Sequence, residues 1–464
     1  MKRLYGNIRG VLALLLAMFL LLAGYFTYSV YAYGSRWFNS AYNPRIHQAK
    51  REISAGDLLD RNGVTLATTN AAGDRVYQSD ASLRKAVAHV VGDDTGMLES
   101  GAETFHAGEL LGFQQGLLQR IQQTFGEGAR RGSDVTLTID ASLQAYIHSI
   151  FPSGKDGAVA LINYKTGEIY ALYSTPVFDV NRIGEVTTGS ALVNRATQGQ
   201  YAPGSIFKII TLTAALRGLS GAEERTFSCE GTQVMGEFTM TDTGGEGHGA
   251  LDLHGAFNQS CNLAFGELGV DVGASALRRA AEGFGFNDNF LFKDLMLYGS
   301  RFPTEAMTTG KLSWTAVGQG DLTVSPLHMA MIAGAIGNGG VMMEPKLVQS
   351  SEGGRTLSPT IYRQCVPVET ASKLRGYMRD CVTDGTAYRG AFTGGTVCGK
   401  TGTAQVASSG QGVEPHSWFI GFNDDPAKPL AIAVVIEKGG SGSQHAAPLA
   451  GNVMGRASRT VFEN

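Results

Sequence analysis

The chain is poor in charge. Only 17% of its 464 residues are Asp, Glu, Lys or Arg, and 38 basic residues stand against 41 acidic ones, a formal charge of −3. Without a basic excess there is no electrostatic footprint for nucleic acid, which is excluded as a partner. With 43% apolar residues and little net charge, the chain also lacks the composition of a disordered protein. It has no internal repeat and no low-complexity tract. Its 62 glycines follow no G-x-y period, so they read as tight turns and close backbone approaches rather than collagen.

Cysteine is scarce and odd in number: Cys229, Cys261, Cys365, Cys381 and Cys398. No C-x-x-C occurs, and nothing in the spacing supports a bridge such as Cys365 to Cys381. They read as free, mostly buried small apolar side chains. Cys229, Asp242 and His248 can be assembled into a zinc site on paper, but they lack the usual ligand spacing. No metal and no cofactor are expected.

Long hydrophobic runs are also lacking, with one exception. Lys2, Arg3 and Arg9 precede a stretch without charge from Gly10 to Ser35, with an apolar heart from Val11 to Ala23. That is enough for a spanning helix, which needs about 20 residues. Tyr25, Tyr28, Tyr31 and Tyr33 fit an interfacial aromatic belt. A cleaved signal would have a shorter core and a small-x-small site, and Val30-Tyr31-Ala32 is a poor one. The sequence therefore predicts an uncleaved single-pass anchor, with a cytoplasmic tail over 1–10, a transmembrane helix over 11–33 and the rest extracytoplasmic, by the positive cluster before the helix. The length suits roughly two or three domains of about 150 residues.

After a polar and aromatic stalk from Gly34 to Arg51, Asn62-Gly63 reads as a hairpin turn before a strand from Val64 to Ala67. Asp134 to Ile139 alternates as a strand, and Ala141 to Ile150 follows as a helix. From about residue 155 the texture changes. Strands are predicted over 158–162, 169–173, 396–404, 418–422 and 430–437. Helices are predicted from near Pro203-Gly204, over 256–269 and over 326–336. The pattern is α+β, with a late antiparallel sheet.

Three motifs carry chemistry. In Ser205-Ile206-Phe207-Lys208, a helix beginning near Gly204 puts Ser205 and Lys208 three apart on one face. A desolvated lysine there can lose its proton and act as base toward the hydroxyl. In Ser260-Cys261-Asn262, the two polar side chains either lie on a solvated helix face or enter a cleft from an irregular turn. If the turn is extended, Cys261 points the opposite way, into the packed interior. Gly399-Lys400-Thr401-Gly402-Thr403-Ala404 reads either as an edge strand protected by its lysine or as an edge that accepts an extended peptide.

In the order S-x-x-K, S-x-N, K-T-G-T the three resemble the motif set of penicillin-recognising serine acyl-transferases. The resemblance extends to class B penicillin-binding proteins over nearly the whole chain. It is carried by Asp57–Gly63 with Leu66-Ala67, Gly132–Asp140, Asn194-Arg195-Ala196, His248-Gly249, Gly318-Gln319-Gly320 and His416–Gly421. It implies an α+β serine-transpeptidase (penicillin-binding/β-lactamase-like) domain with an antiparallel sheet and a helical subdomain over 151–464. Residues 34–150 would form an N-terminal pedestal and interaction module, too small for a glycosyltransferase.

The implied activity is that of a peptidoglycan D,D-transpeptidase inhibited by β-lactams. Ser205 would be the nucleophile. Lys208, Ser260 and Lys400 would move protons, and Asn262, Thr401, Gly402 and Thr403 would hold the substrate. The implied partners are stem peptides ending in D-Ala-D-Ala, an amine acceptor and a multi-span glycan polymerase in the membrane. The alternatives are a D,D-carboxypeptidase and a non-catalytic β-lactam-binding scaffold. A β-lactamase is disfavoured, because no clear Glu motif for deacylation lies between Ser260 and Lys400.

Overall fold

A computed structural model describes residues 2–40, 42–116, 130–352, 355–392, 396–405 and 413–463. Residues 75–130 mix helical patches with many glycines and show no clear pattern in sequence, and 117–129 lie outside the described residues. The uncharged run sits inside one continuous helix, Lys2–Phe38. Its Leu4–Gly34 portion is, among the described residues, the one helix long and apolar enough to cross a membrane. Leu12, Phe19, Leu21 and Phe26 stand exposed on it with nothing in the protein to cover them. A helix suits hydrocarbon because it satisfies its own backbone. Much of the stalk is helical. Pro44–Glu52 starts on a proline, is capped by the Asn43 side chain, and buries Ile46 and Ala49 against Ala107 and Leu111.

Two sheets organise the remainder. The first has six strands in the order Arg355–Thr356, Val348–Ser351, Val135–Leu137, Leu58–Leu59, Thr65–Thr69, Arg75–Tyr77. The Asn62-Gly63 turn closes its hairpin as expected. Asp60 Oδ1 accepts from the N–H groups of Asn62 and Val64, both at 2.8 Å, and Gly63 takes a φ of 82°. Val135–Leu137 pairs parallel with Leu58–Leu59 on one side and antiparallel with Val348–Ser351 on the other. The N-terminal sheet is thus completed by strands from far beyond residue 150.

The second sheet is antiparallel throughout, in the order Val397–Ala404, His416–Asn423, Leu430–Ile436, Gly157–Asn163, Ile169–Thr175. All five strands predicted over 158–162, 169–173, 396–404, 418–422 and 430–437 fall in it. Leu430–Ile436 is apolar without alternation and buried at every position, as a strand covered on both faces must be. The helices Pro326–Gly337 and Ala446–Phe462 both pack against it. Val397–Ala404 is an edge strand.

The run predicted as one helix over 256–269 is two, Leu253–Asn258 and Asn262–Val272. Between them Ser260 adopts a φ of 60°. That left-handed conformation costs a non-glycine residue about 1–2 kcal/mol and cannot continue a right-handed helix. Cys261 then caps the second helix, its sulfur accepting from Ala264 N at 3.5 Å.

Candidate active site

The S-x-x-K segment forms a 3₁₀ turn, Gly204–Phe207, that runs directly into the helix Lys208–Gly218. Gly204 has a φ of +56°, and a Cβ there would stand 2.6 Å from Thr403 O. Trp418 Nε1 donates to Ala202 O at 3.2 Å. A Cβ on Gly402 would come within 3.0 Å of Pro203 O and Ile206 Cγ2. The turn bearing Ser205 is therefore pressed against the edge strand bearing Lys400, and the glycines of both motifs make that approach sterically possible.

Lys208 is fully buried. Its Nζ bonds Ser260 O, lies 2.8 Å from Asn262 Oδ1 and 3.3 Å from Ser260 Oγ, and faces the Phe265 ring at 5.7 Å. Burial, and next the nearby charge of Lys400, push its ammonium down to about 7. A neutral amine has two N–H donors and one lone pair. In that form the two carbonyl oxygens, which can only accept, would take both donors and leave the lone pair for a hydroxyl proton. Of the two readings open for the second motif, the irregular turn is the one adopted. Ser260 and Asn262 both face Lys208, while Cys261 is fully buried with its sulfur against Cys229. Burial pushes the Cys261 thiol well above its ordinary range.

Lys400 is also fully buried, with Nζ over the Phe257 ring at 5.5 Å and bonded to Thr401 O at 3.3 Å. Desolvation lowers its pKa. The Thr401 hydroxyl lies 2.7 Å from that of Thr386. Thr403 Oγ1 accepts from Gly442 N at 3.4 Å. The open cleft is lined by Ser205, Asn262 and Thr403 together with Thr243, Trp314 and Gln319.

Trp314 and Thr386 were not singled out from sequence. Trp314 reaches the cleft from the helix Thr309–Ala316, and no motif marks it. Gln319, by contrast, lies within a stretch that carries the family resemblance.

Beside the second motif the fold brings together the three residues that spacing alone could not group, and adds Cys261. The ligating atoms of Cys229, Asp242, His248 and Cys261 all lie within 4.8 Å of one another. Cys229 Sγ is 3.3 Å from Asp242 Oδ2, 3.4 Å from His248 Nδ1 and 3.2 Å from Cys261 Sγ. A tetrahedral zinc site with bonds of about 2.0–2.3 Å has edges of roughly 3.3–3.8 Å. Two thiols, an imidazole and a carboxylate are donor types that can hold a divalent cation, and their separations, down to 3.1 Å between His248 Nδ1 and Asp242 Oδ2, are equally those of a hydrogen-bonded cluster. Burial alone would raise the Asp242 carboxyl, but hydrogen bonds from Cys261 and from the N–H groups of Thr243 and Asn262 hold it below the usual carboxylate range. All five cysteines are free and buried, so no bridge joins Cys365 to Cys381.

Comparison with known proteins agrees with this geometry. The family described as penicillin binding protein transpeptidase domain matches residues 157–455. Peptidoglycan D,D-transpeptidase PbpA of Mycobacterium tuberculosis is 32% identical over 69% of this chain and 70% of its own length. PbpA of Mycolicibacterium smegmatis is 30% identical over 76% and 78%. The ceftriaxone acyl-enzyme of penicillin-binding protein A from M. tuberculosis superposes with a TM-score of 0.78 at 28% identity, covering 87% of this chain and 98% of that one. This chain belongs to the penicillin-binding protein transpeptidase family, as one of its class B members.

Proposed function

We infer that the protein is a membrane-anchored peptidoglycan D,D-transpeptidase that works through a serine acyl-enzyme and is inhibited by β-lactams. The observation that carries the reading is Lys208. It is a buried, desolvated amine one helical turn from Ser205, with its hydrogens held by Ser260 and Asn262. In the reaction Lys208 takes the Ser205 proton as Oγ attacks the carbonyl between the two terminal D-alanines. The tetrahedral oxyanion is held by the backbone N–H groups of Ser205 and Thr403. The C–N bond breaks, and the departing D-alanine takes a proton relayed through Ser260, which Lys208 and Lys400 keep in place. The amine of a second stem peptide then attacks the ester, releases Ser205 and forms the cross-link. The donor peptide lies along the edge strand Val397–Ala404. Asn262 holds its amide, Lys400, Thr401 and Thr403 bind its carboxylate, and Gly402 allows the approach.

The anchor orients the catalytic domain outward, since Lys2, Arg3 and Arg9 precede the span. The chain divides at about residue 150 into a pedestal over 34–150 and the transpeptidase domain over 151–464, with Val348–Ser351 reaching back to brace the pedestal sheet. The anchor and pedestal are the surfaces for a multi-span glycan polymerase. The test is acylation by a fluorescent penicillin. Ser205→Ala abolishes labelling without unfolding the protein, and labelling that survives sinks the assignment. Incubation with a stem peptide and an amine acceptor yields a cross-linked product. Hydrolysis alone would make the enzyme a carboxypeptidase.

A further inference from the structure

We propose that Thr386 is a positioning residue that turns the Thr401 hydroxyl into a hydrogen-bond donor for the substrate's terminal carboxylate; this rests on the reading above that Thr401 binds that group. The two hydroxyls stand 2.7 Å apart, and Thr401 is 5% exposed. Each hydroxyl has one proton. If Thr401 gives its proton to Thr386, it meets a carboxylate with lone pairs only, and the contact is repulsive. If Thr386 donates to Thr401, the Thr401 proton is free for the carboxylate.

The surroundings of Thr386 accommodate the second arrangement. Cys381 Sγ lies 3.4 Å from Thr386 Oγ1, and its S–H can donate to the same oxygen. The donors then run in one direction, from Cys381 to Thr386 to Thr401. Thr386 is tied to its surroundings through the backbone. Its N–H donates to Asn258 O at 3.4 Å, Ala387 N donates to Cys381 O at 2.9 Å, and a Cβ on the adjacent Gly385 would stand 1.9 Å from Asn258 Oδ1. Asn258 is the last residue of the helix that leads into the second motif, so one threonine ties that motif to the edge strand.

The test uses the detergent-solubilised full chain with benzylpenicillin and its methyl ester, which lacks the carboxylate charge, and follows acylation by intact mass. The wild type prefers the free acid. Thr386→Val keeps the shape and removes the hydroxyl. It slows acylation by the acid about tenfold, the scale of part of one charge-assisted hydrogen bond, and leaves the ester rate within twofold. Thr386→Ser restores the preference. Equal slowing of acid and ester by Thr386→Val, or no rescue by serine, overturns the inference and shows a purely structural role. Thr401→Val separates the two claims. If it also collapses the preference, the carboxylate reading stands whatever Thr386 does; if it leaves the preference intact, that reading fails first.

Discussion

Gly204 N donates to Gly318 O at 2.9 Å, and a Cβ on Gly318 would stand 2.0 Å from Gly204 O. Two glycines with positive φ, one in the nucleophile turn and one in the Gly318-Gln319-Gly320 loop, thus lie backbone to backbone. Gly318→Ala forces a side chain into a left-handed residue, at about 1–2 kcal/mol, and into a carbonyl that cannot yield without moving Ser205. The expected outcome is a lowered melting temperature together with at least tenfold slower acylation by penicillin. A variant that acylates within twofold of wild type would show that the turn tolerates displacement.

With Lys208 as the base of the proposed reaction, its depressed pKa predicts a pH dependence. Only the neutral amine can take the Ser205 proton, so the second-order rate constant for acylation rises with pH through about 7 and levels above it. Below that pH the ammonium form dominates and the rate falls about tenfold per unit. Lys208→Arg, charged at every accessible pH, removes the limb and nearly all activity. A rate flat from pH 5.5 to 8.5 would exclude Lys208 as the titrating base.

Much of this site is legible in sequence because its chemistry sits in short local motifs. Ser205 and Lys208 are one helical turn apart, and the glycines flanking Lys400 and Thr401 mark a close approach whatever lies opposite. In the five-strand sheet, Leu430–Ile436 and most of Gly157–Asn163 are legible because they are uninterrupted apolar runs. What escaped is non-local. Val348–Ser351 carries no sign that it will complete a sheet begun near residue 58. Thr386 is one threonine among many until the fold sets its hydroxyl against Thr401. The break at Ser260 was readable only as an alternative, because residues 256–269 are helical in composition on both sides of it.

Lys400 contributes in two separable ways. On the proposed reading its charge binds the substrate carboxylate, an interaction worth about 1.5–3 kcal/mol, so Lys400→Ala should slow acylation roughly 10- to 150-fold from that loss alone. Lys400 is also a positive neighbour that disfavours the ammonium of Lys208. Removing it should raise the Lys208 pKa and move the pH limb upward. The nucleophile remains, so acylation does not vanish. A rate within twofold of wild type would place the carboxylate elsewhere, and an unmoved limb would show that the two amines do not sense each other.

The cluster of Cys229, Asp242, His248 and Cys261 makes a prediction of its own. Asp242 Oδ1 accepts from Asn262 N at 3.2 Å, and Cys261 precedes Asn262 in the chain, so a cation on these four residues would brace the loop that presents Ser260 and Asn262. A ligand that binds only the folded state at a hundred times its dissociation constant stabilises it by about 2.7 kcal/mol. Micromolar zinc should therefore raise the melting temperature of metal-stripped protein by several degrees, and a chelator should reverse the rise. Cys261→Ala should remove most of the shift while keeping covalent penicillin labelling, since Ser205 and Lys208 are untouched. Elemental analysis of protein purified without chelator should then find close to one zinc per chain in the wild type and far less in the variant. If zinc leaves the melting temperature unchanged and none co-purifies, the four side chains are only a hydrogen-bonded brace, with Cys229 and Cys261 as the buried thiols that the sequence alone suggests.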